Sequence, residues 1–299
     1  MIECSKSALV TQMRLYFGKF EKILQEFLNF LTASSLLIAC TGFFQTFGGF
    51  ILLGSNPRLD SCIAVFLMTL SVYSLNKLTD IKEDSINRPE RINFLAGREK
   101  LILGYSLAAF LVSAAIAYSI KPEALLVILI PLIANAAYST KLLPNLPRLK
   151  DIPAVKNIVV GLSWALVCTL MPAIRIDDPT YTLILPVIYL MTIKDFTNST
   201  LCDLKDINGD RINGVRTIPV VLGAQTTRRI LLVLNCSILP CLILIKAKIM
   251  FFALLLVLCE YAFIFCFGEN SRPYILEFFI DGEWLLACTL LLGFSAVHV

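Results

Sequence analysis

The sequence predicts an all-α fold: a polytopic membrane bundle of nine transmembrane helices, with the N-terminus on the cytoplasmic side. Composition is the first reason. Hydrophobic residues fill 57% of 299 positions, and mean hydropathy is +0.78. Charged residues are only 16%, against about 25% in an ordinary soluble domain. The second reason is spacing, because a bilayer-crossing helix needs about 17 to 25 mostly apolar residues. The third is the uneven placement of lysine and arginine between alternate loops, since cytoplasmic loops are enriched in both.

Nine apolar runs meet the length criterion: 28–53, 62–78, 101–120, 124–138, 155–174, 181–201, 230–245, 250–267 and 284–297. The first is long and contains Gly48 and Gly49, so a bend or an early end is expected there. The N-terminus and the loops after the second, fourth, sixth and eighth runs hold 20 of the 26 Lys and Arg residues. The opposite side holds Arg58, Lys121, Arg175, Lys246 and Lys248, and Lys194 falls inside the sixth run. That asymmetry places 76–100, 138–156 and 203–229 in the cytoplasm, within a single domain spanning 1–299. No cleavable signal peptide is expected, because residues 1–26 carry charges throughout.

Ten cysteines form no Cys-x-x-Cys pair, and most lie inside apolar runs, as reduced packing residues do. His298 is the only histidine, which excludes most histidine-based metal sites and Ser/His/Asp catalysis.

Two acidic motifs end the second and sixth runs. In the first, Asn76, Asp80 and Asp84 recur every four residues. On a helix they form one stripe about 12 Å long. In the second, Asp206 and Asp210 form the pair and Asp203 lies one turn earlier. Carboxylates near bilayer depth are costly and usually functional. Stripes of oxygen ligands on the same side of the membrane suit divalent cations and, through them, a polyanion such as a diphosphate. Magnesium typically binds through one or two carboxylates plus substrate phosphates. A solvated helix end is the alternative for either motif alone.

Basic and polar neighbours are candidate diphosphate ligands. Arg88 and Arg91 follow the first motif, with Pro89 breaking the helix between them. Tyr138, Ser139 and Lys141 follow the fourth run, where a tyrosine is also an ordinary interfacial anchor. Lys194 lies beside Asp195 inside the sixth run, and the two can line a site or neutralise each other. Gln25 and Asn29 are weaker candidates for the same cavity. Gly209, Gly214 and Pro219 read as punctuation ending the second-motif helix. Arg211 and Arg216 can face phosphate or solvent.

These residues resemble the UbiA superfamily of intramembrane prenyltransferases, in an archaeal-like form. Its Asn-x-x-x-Asp-x-x-x-Asp pattern matches Asn76, Asp80 and Asp84, and its second Asp-x-x-x-Asp pattern matches Asp206 and Asp210. The text from Gly209 through Pro219 also matches. Tyr138 and Lys141 stand three apart where many members space them four apart, and Ile92-Asn93-Phe94 departs from the usual sequence.

The resemblance implies Mg2+-dependent transfer of a prenyl group from an allylic diphosphate, such as geranyl or geranylgeranyl diphosphate, to a lipophilic acceptor through a carbocation. Mn2+ is an expected substitute. Asn76, Asp80, Asp84, Asp203, Asp206 and Asp210 would hold the metal. Phe66, Tyr73, Tyr138 and Trp164 offer aromatic faces to the cation. The acceptor would be an aromatic quinone precursor or a glycerol-ether lipid precursor. The protein would sit in the cell membrane with its active site open to the cytoplasm, partnered by lipid and not by nucleic acid. The alternative is a transporter or channel binding ions through its acids. A CDP-alcohol phosphotransferase would carry Asp-x-x-Asp-Gly-x-x-Ala-Arg, which is absent, and a soluble isoprenyl diphosphate synthase would not need the apolar runs.

Overall fold

The computed structural model describes residues 2–139, 152–177, 181–244 and 247–297. Among them are fifteen helices and no strand. In chain order these are α1 (Ile2–Ala33), α2 (Leu36–Leu52), α3 (Leu59–Thr79), α4 (Ile81–Asn87), α5 (Pro89–Leu95), α6 (Glu99–Ile120), α7 (Pro122–Ser139) and α8 (Val155–Ile174). There follow α9 (Tyr181–Lys205), α10 (Ile207–Ile212), α11 (Ile218–Leu222), α12 (Ala224–Cys236), α13 (Leu239–Leu242), α14 (Ala247–Cys266) and α15 (Pro273–Val297).

The α3, α6 and α8 helices, with Ile249–Cys266 of α14, are long and apolar enough to cross a membrane, and the bent pair α1–α2 supplies a fifth span. The α9 and α15 helices each run 25 residues. They carry charge within that length: Lys194, Asp195 and Asp203 on α9, and Glu277, Asp281 and Glu283 on α15.

Three expected boundaries shift. The first apolar run does not bend at Gly48-Gly49; it breaks at Ser34-Ser35, where Ser35 has φ 66° and the two helices meet at 67°. Carbonyls freed by that break would be costly without partners. Lys77 supplies them, its ammonium reaching Thr32 O at 2.6 Å, Ala33 O at 2.9 Å and Ser35 Oγ at 2.7 Å. The seventh run divides into α12 and α13, with Pro240 in the first turn of the second piece. The ninth helix starts at Pro273 rather than Trp284, which carries three acids into the bundle wall.

Gly48 and Gly49 remain helical and serve packing instead. A Cβ on Gly49 would collide with the carbonyl oxygen of Cys168, so α2 and α8 touch backbone to backbone. Around this contact the helices close a ring. The succession α2, α3, α6, α7, α8, α9, α12, α14 and α15 packs each member on the next, and α15 returns to α2. Met68, Cys168, Met171, Met191, Phe252 and Trp284 fill the interior. Closure of the ring places the ends of α3 and α9 on opposite sides of one cavity, and α4 packs on α10 at its mouth.

Candidate active site

The two motifs share a local construction. In each, the middle aspartate interrupts the helix: Asp80 between α3 and α4 (φ −99°, ψ 23°), and Asp206 between α9 and α10 (φ −87°, ψ 6°). Backbone bonds four residues apart persist on both sides: Asp80 N to Asn76 O and Asp84 N to Asp80 O, each 2.9 Å, and Asp206 N to Cys202 O at 3.1 Å and Asp210 N to Asp206 O at 2.9 Å. The expected stripe is therefore bent rather than straight, with its residues still on one side.

That side is the wall of a cavity of about 370 Å³. All six expected metal residues line it: Asn76, Asp80 and Asp84 from one flank, Asp203, Asp206 and Asp210 from the other. Arg88 and Arg91 line it too. Its deeper wall includes Gln45, Tyr73, Trp164 and Asp195. Tyr73 and Trp164 are stacked, with ring centroids 5.8 Å apart.

Neighbours hold the carboxylates in place. Arg91 Nη1 donates to both oxygens of Asp84 at 3.0 Å. Lys156 Nζ and Asn157 Nδ2 donate to Asp203 at 2.6 and 2.9 Å. Asn87 Nδ2 donates to Asp210 Oδ1 at 3.1 Å, and Lys205 pairs with Asp206 at 2.9 Å. Asn135 Nδ2 donates to Asn76 Oδ1 at 2.6 Å. Arg88 is nearly buried and ion-pairs with Glu277 through Nη2, while its Nη1 has no hydrogen-bond partner. Burial pushes the Asp210 carboxyl up to about 6, helped by the charges of Asp203 and Asp206.

The cavity is lined by eight acidic residues (Asp80, Asp84, Asp195, Asp203, Asp206, Asp210, Glu277 and Asp281) and four basic ones (Lys77, Arg88, Arg91 and Lys156). A formal surplus of four negative charges repels a diphosphate unless cations intervene. Among the described residues no three acids are close enough to enclose a cation alone. The all-oxygen ligand set on two flanks fits magnesium, which keeps waters and completes its shell with phosphate oxygens.

Lys194 is a correction. It is fully buried outside the cavity lining, its ammonium 2.7 Å from Glu260 and 2.6 Å from Glu283. Its third N–H reaches Leu256 O at 3.3 Å, so no donor is left for a diphosphate, and it makes no ion pair with Asp195, which accepts a hydrogen bond from Gln45. Arg211 and Arg216 are exposed and do not line the cavity. Gly209 does not end a helix: it lies inside α10, where a Cβ would strike Asn87. Gly214, at φ 71°, is the terminator. Lys141 lies outside the described residues, as do the side chains of Tyr138 and Ser139 at the end of α7.

Sequence reasoning missed Asn87, Asn135, Lys156, Asn157, Glu277 and Asp281. Only the last two carried a signal, as acids four apart just before an apolar run.

Comparison with known proteins agrees with this geometry. The model of the UbiA prenyltransferase family matches residues 28–272. Digeranylgeranylglyceryl phosphate synthase of Thermococcus gammatolerans is 30% identical over 62% of this chain and 66% of its own length. The enzyme of the same name from Thermococcus kodakarensis is 26% identical over 62% of this chain and 65% of its own length. The matches to these two relatives thus span about two thirds of their length. A UbiA homolog from Archaeoglobus fulgidus, solved bound to DMAPP and Mg2+, superposes with a TM-score of 0.62 at 17% identity, covering 87% of this chain and 99% of that one. A UbiA homolog from Aeropyrum pernix K1 gives 0.57 at 18% identity, covering 84% and 98%. With paired acidic motifs on one cavity and a family match across most of its length, this chain belongs to the UbiA prenyltransferase family.

Proposed function

We propose that the protein transfers a prenyl group from an allylic isoprenoid diphosphate to the hydroxyl of a lipophilic, glycerol-ether type acceptor. One observation carries this reading: two aspartate motifs from α3–α4 and α9–α10 flank one cavity whose net negative charge demands cations before an anion can enter. The names of the Thermococcus relatives favour the ether-lipid acceptor over a quinone precursor, and a geranylgeranyl donor. Neighbours solved with DMAPP or GPP and Mg2+ support the donor class and the metal. Mn2+ is proposed as a substitute.

Asp80, Asp84, Asp206 and Asp210 would hold the magnesium, with Asn76 and Asp203 contributing directly or through water. Held by these residues, magnesium would supply positive charge to offset that developing on the departing diphosphate. Arg88 and Arg91, which line the cavity, would add N–H donors to the same oxygens. Tyr138, Ser139 and Lys141 remain proposed diphosphate ligands on sequence grounds. The stacked Tyr73 and Trp164 line the cavity, where aromatic faces would favour positive charge at the allylic carbon. Ile38, Val160, Trp164 and Ile280 form the apolar part of the wall and would limit water around the cation.

The lysine and arginine asymmetry supports nine spans in the cell membrane, a cytoplasmic N-terminus and a cavity mouth on the cytoplasmic side. The test is incubation of purified protein and Mg2+ with geranylgeranyl diphosphate and a panel of acceptors that includes geranylgeranylglyceryl phosphate. A Mg2+-dependent prenylated product identified by mass is expected. Ion flux in liposomes with no product from any acceptor would replace this reading with a transporter.

A further inference from the structure

Asp195 is an acid without an assigned task. It lies on α9 eight residues before Asp203, about 12 Å deeper along the helix. It lines the cavity. Its neighbour Lys194 is committed to Glu260 and Glu283, and among the described residues no cation forms an ion pair with Asp195. Its hydrogen-bond partner is Gln45, whose Nε2 donates to Oδ2 at 2.7 Å. Gln45 is itself 3% exposed, so it holds the carboxylate in one orientation. Oδ1 is left without a protein donor. One turn on, Asn198 lines the same cavity, and its Oδ1 is a buried acceptor with no partner. The Asn198 amide lies against the Glu283 carboxylate, which can only accept, so its N–H side belongs there. Two acceptors therefore stand at i and i+3 on the cavity face of α9, both lacking donors. Keeping a carboxylate in an apolar span is expensive unless it functions, and buried acceptors call for a donor.

We infer that Asp195, oriented by Gln45 and flanked by Asn198, is the subsite for the acceptor's hydroxyl and the general base that takes its proton. The proposal rests on the prenyl-transfer reading above and adds the acceptor half of the site. A lone pair on the hydroxyl oxygen forms the new bond to C1. The bond from C1 to the diphosphate oxygen breaks, and its electron pair leaves with the diphosphate. The hydroxyl proton passes to the Asp195 carboxylate, from which water or the released diphosphate removes it before the next turnover. An acceptor with an O–H in this position supplies the donor that Asp195 Oδ1 lacks, beside Asn198; one without a donor does not.

The experiment uses the full-length protein with Mg2+, geranylgeranyl diphosphate and two probes: geranylgeranylglyceryl phosphate, and its analogue with the free hydroxyl replaced by a thiol. A thiol ionises far more readily than an alcohol (a free cysteine near a pKa of about 8.5), so at pH 9 the thiol probe supplies thiolate without a protein base. Asp195→Asn should lose about 100-fold or more in transfer to the hydroxyl probe, the size of a general-base effect. It should keep transfer to the thiol probe at pH 9 within about threefold. Its affinity for geranylgeranyl diphosphate should also stay within about threefold, and Asp195→Glu should restore part of the hydroxyl reaction. Equal loss on both probes, or no loss on the hydroxyl probe, overturns the assignment. A wild-type protein that prenylates neither probe sinks the prenyl-transfer reading itself, which separates the two failures.

Discussion

Asn87 donates a hydrogen bond to Asp210 across 3.1 Å, tying the last residue of α4 to the second motif. Gly209 makes the approach possible, because a side chain there would strike the Asn87 amide. Gly209→Ala should therefore push Asn87 away and lower Mg2+-dependent diphosphate release by about 10- to 100-fold, the worth of a hydrogen bond to a charged group. Asn87→Ala should cost a similar factor. The double variant should lose no more than either single one, since both remove the same contact. Steady-state release assays on the three variants give the comparison, and additive losses would mean that the two residues act independently.

Arg88 is held by Glu277 and leaves one guanidinium nitrogen unpaired beside the cavity. Arg88→Met would remove the nearest cation from the buried Glu277 carboxylate, leaving Arg91 at 3.8 Å and Lys205 at 3.9 Å, and should destabilise the fold by less than an uncompensated buried charge would, which costs about 3–5 kcal/mol. Arg88→Lys keeps the charge and loses the fork. It should fold and raise KM for the prenyl diphosphate about tenfold or more, from the loss of a charge-assisted hydrogen bond. An unchanged KM would remove Arg88 from the diphosphate contacts.

Lys194 bridges Glu260 on α14 and Glu283 on α15 with no exposure to solvent. Lys194→Met should lower stability by about 3–5 kcal/mol, leaving two carboxylates without a cation. The triple variant Lys194→Met, Glu260→Gln, Glu283→Gln should recover most of that loss, because no buried charge remains. Thermal unfolding in detergent distinguishes the cases. A single variant as stable as wild type would show that the carboxylates are not charged in the bundle.

Asp210 titrates near 6 because burial, with Asp203 and Asp206, penalises its charge. A carboxyl that holds its proton more tightly when folded weakens the metal-free fold as pH rises from 3.8 through about 6. Magnesium competes with that proton. Apparent Mg2+ affinity should fall as pH drops below 6, and Mg2+ uptake near that pH should release protons. Titration calorimetry in buffers of different ionisation heat reads the proton count. A proton release near pH 6 that survives in Asp210→Asn would assign it to another group.

The aspartate motifs were legible because four-residue spacing at the ends of apolar runs has few other uses, and the cavity gathers all six expected metal residues. The helix break at Ser34-Ser35 was not legible, because its cost is met by Lys77 from a distant helix. Lys77 read from sequence as a cytoplasmic charge. Glu277, Asp281 and Glu283 read as loop because acids usually leave the bilayer; here Arg88 and Lys194 compensate two of them from other helices. Lys194 was misplaced for the same reason, since its partners lie 66 and 89 residues away. Charge compensation across helices has no local signature in a single sequence.

The claim that two motifs form one clamp is tested most directly by diphosphate release from geranylgeranyl diphosphate in saturating Mg2+ and an active acceptor. Wild type, Asp80→Ala and Asp206→Ala should be compared after each variant is shown to unfold at the wild-type temperature. Each single substitution should abolish release, because each removes one flank of the cavity. Full release by either folded variant would contradict the clamp.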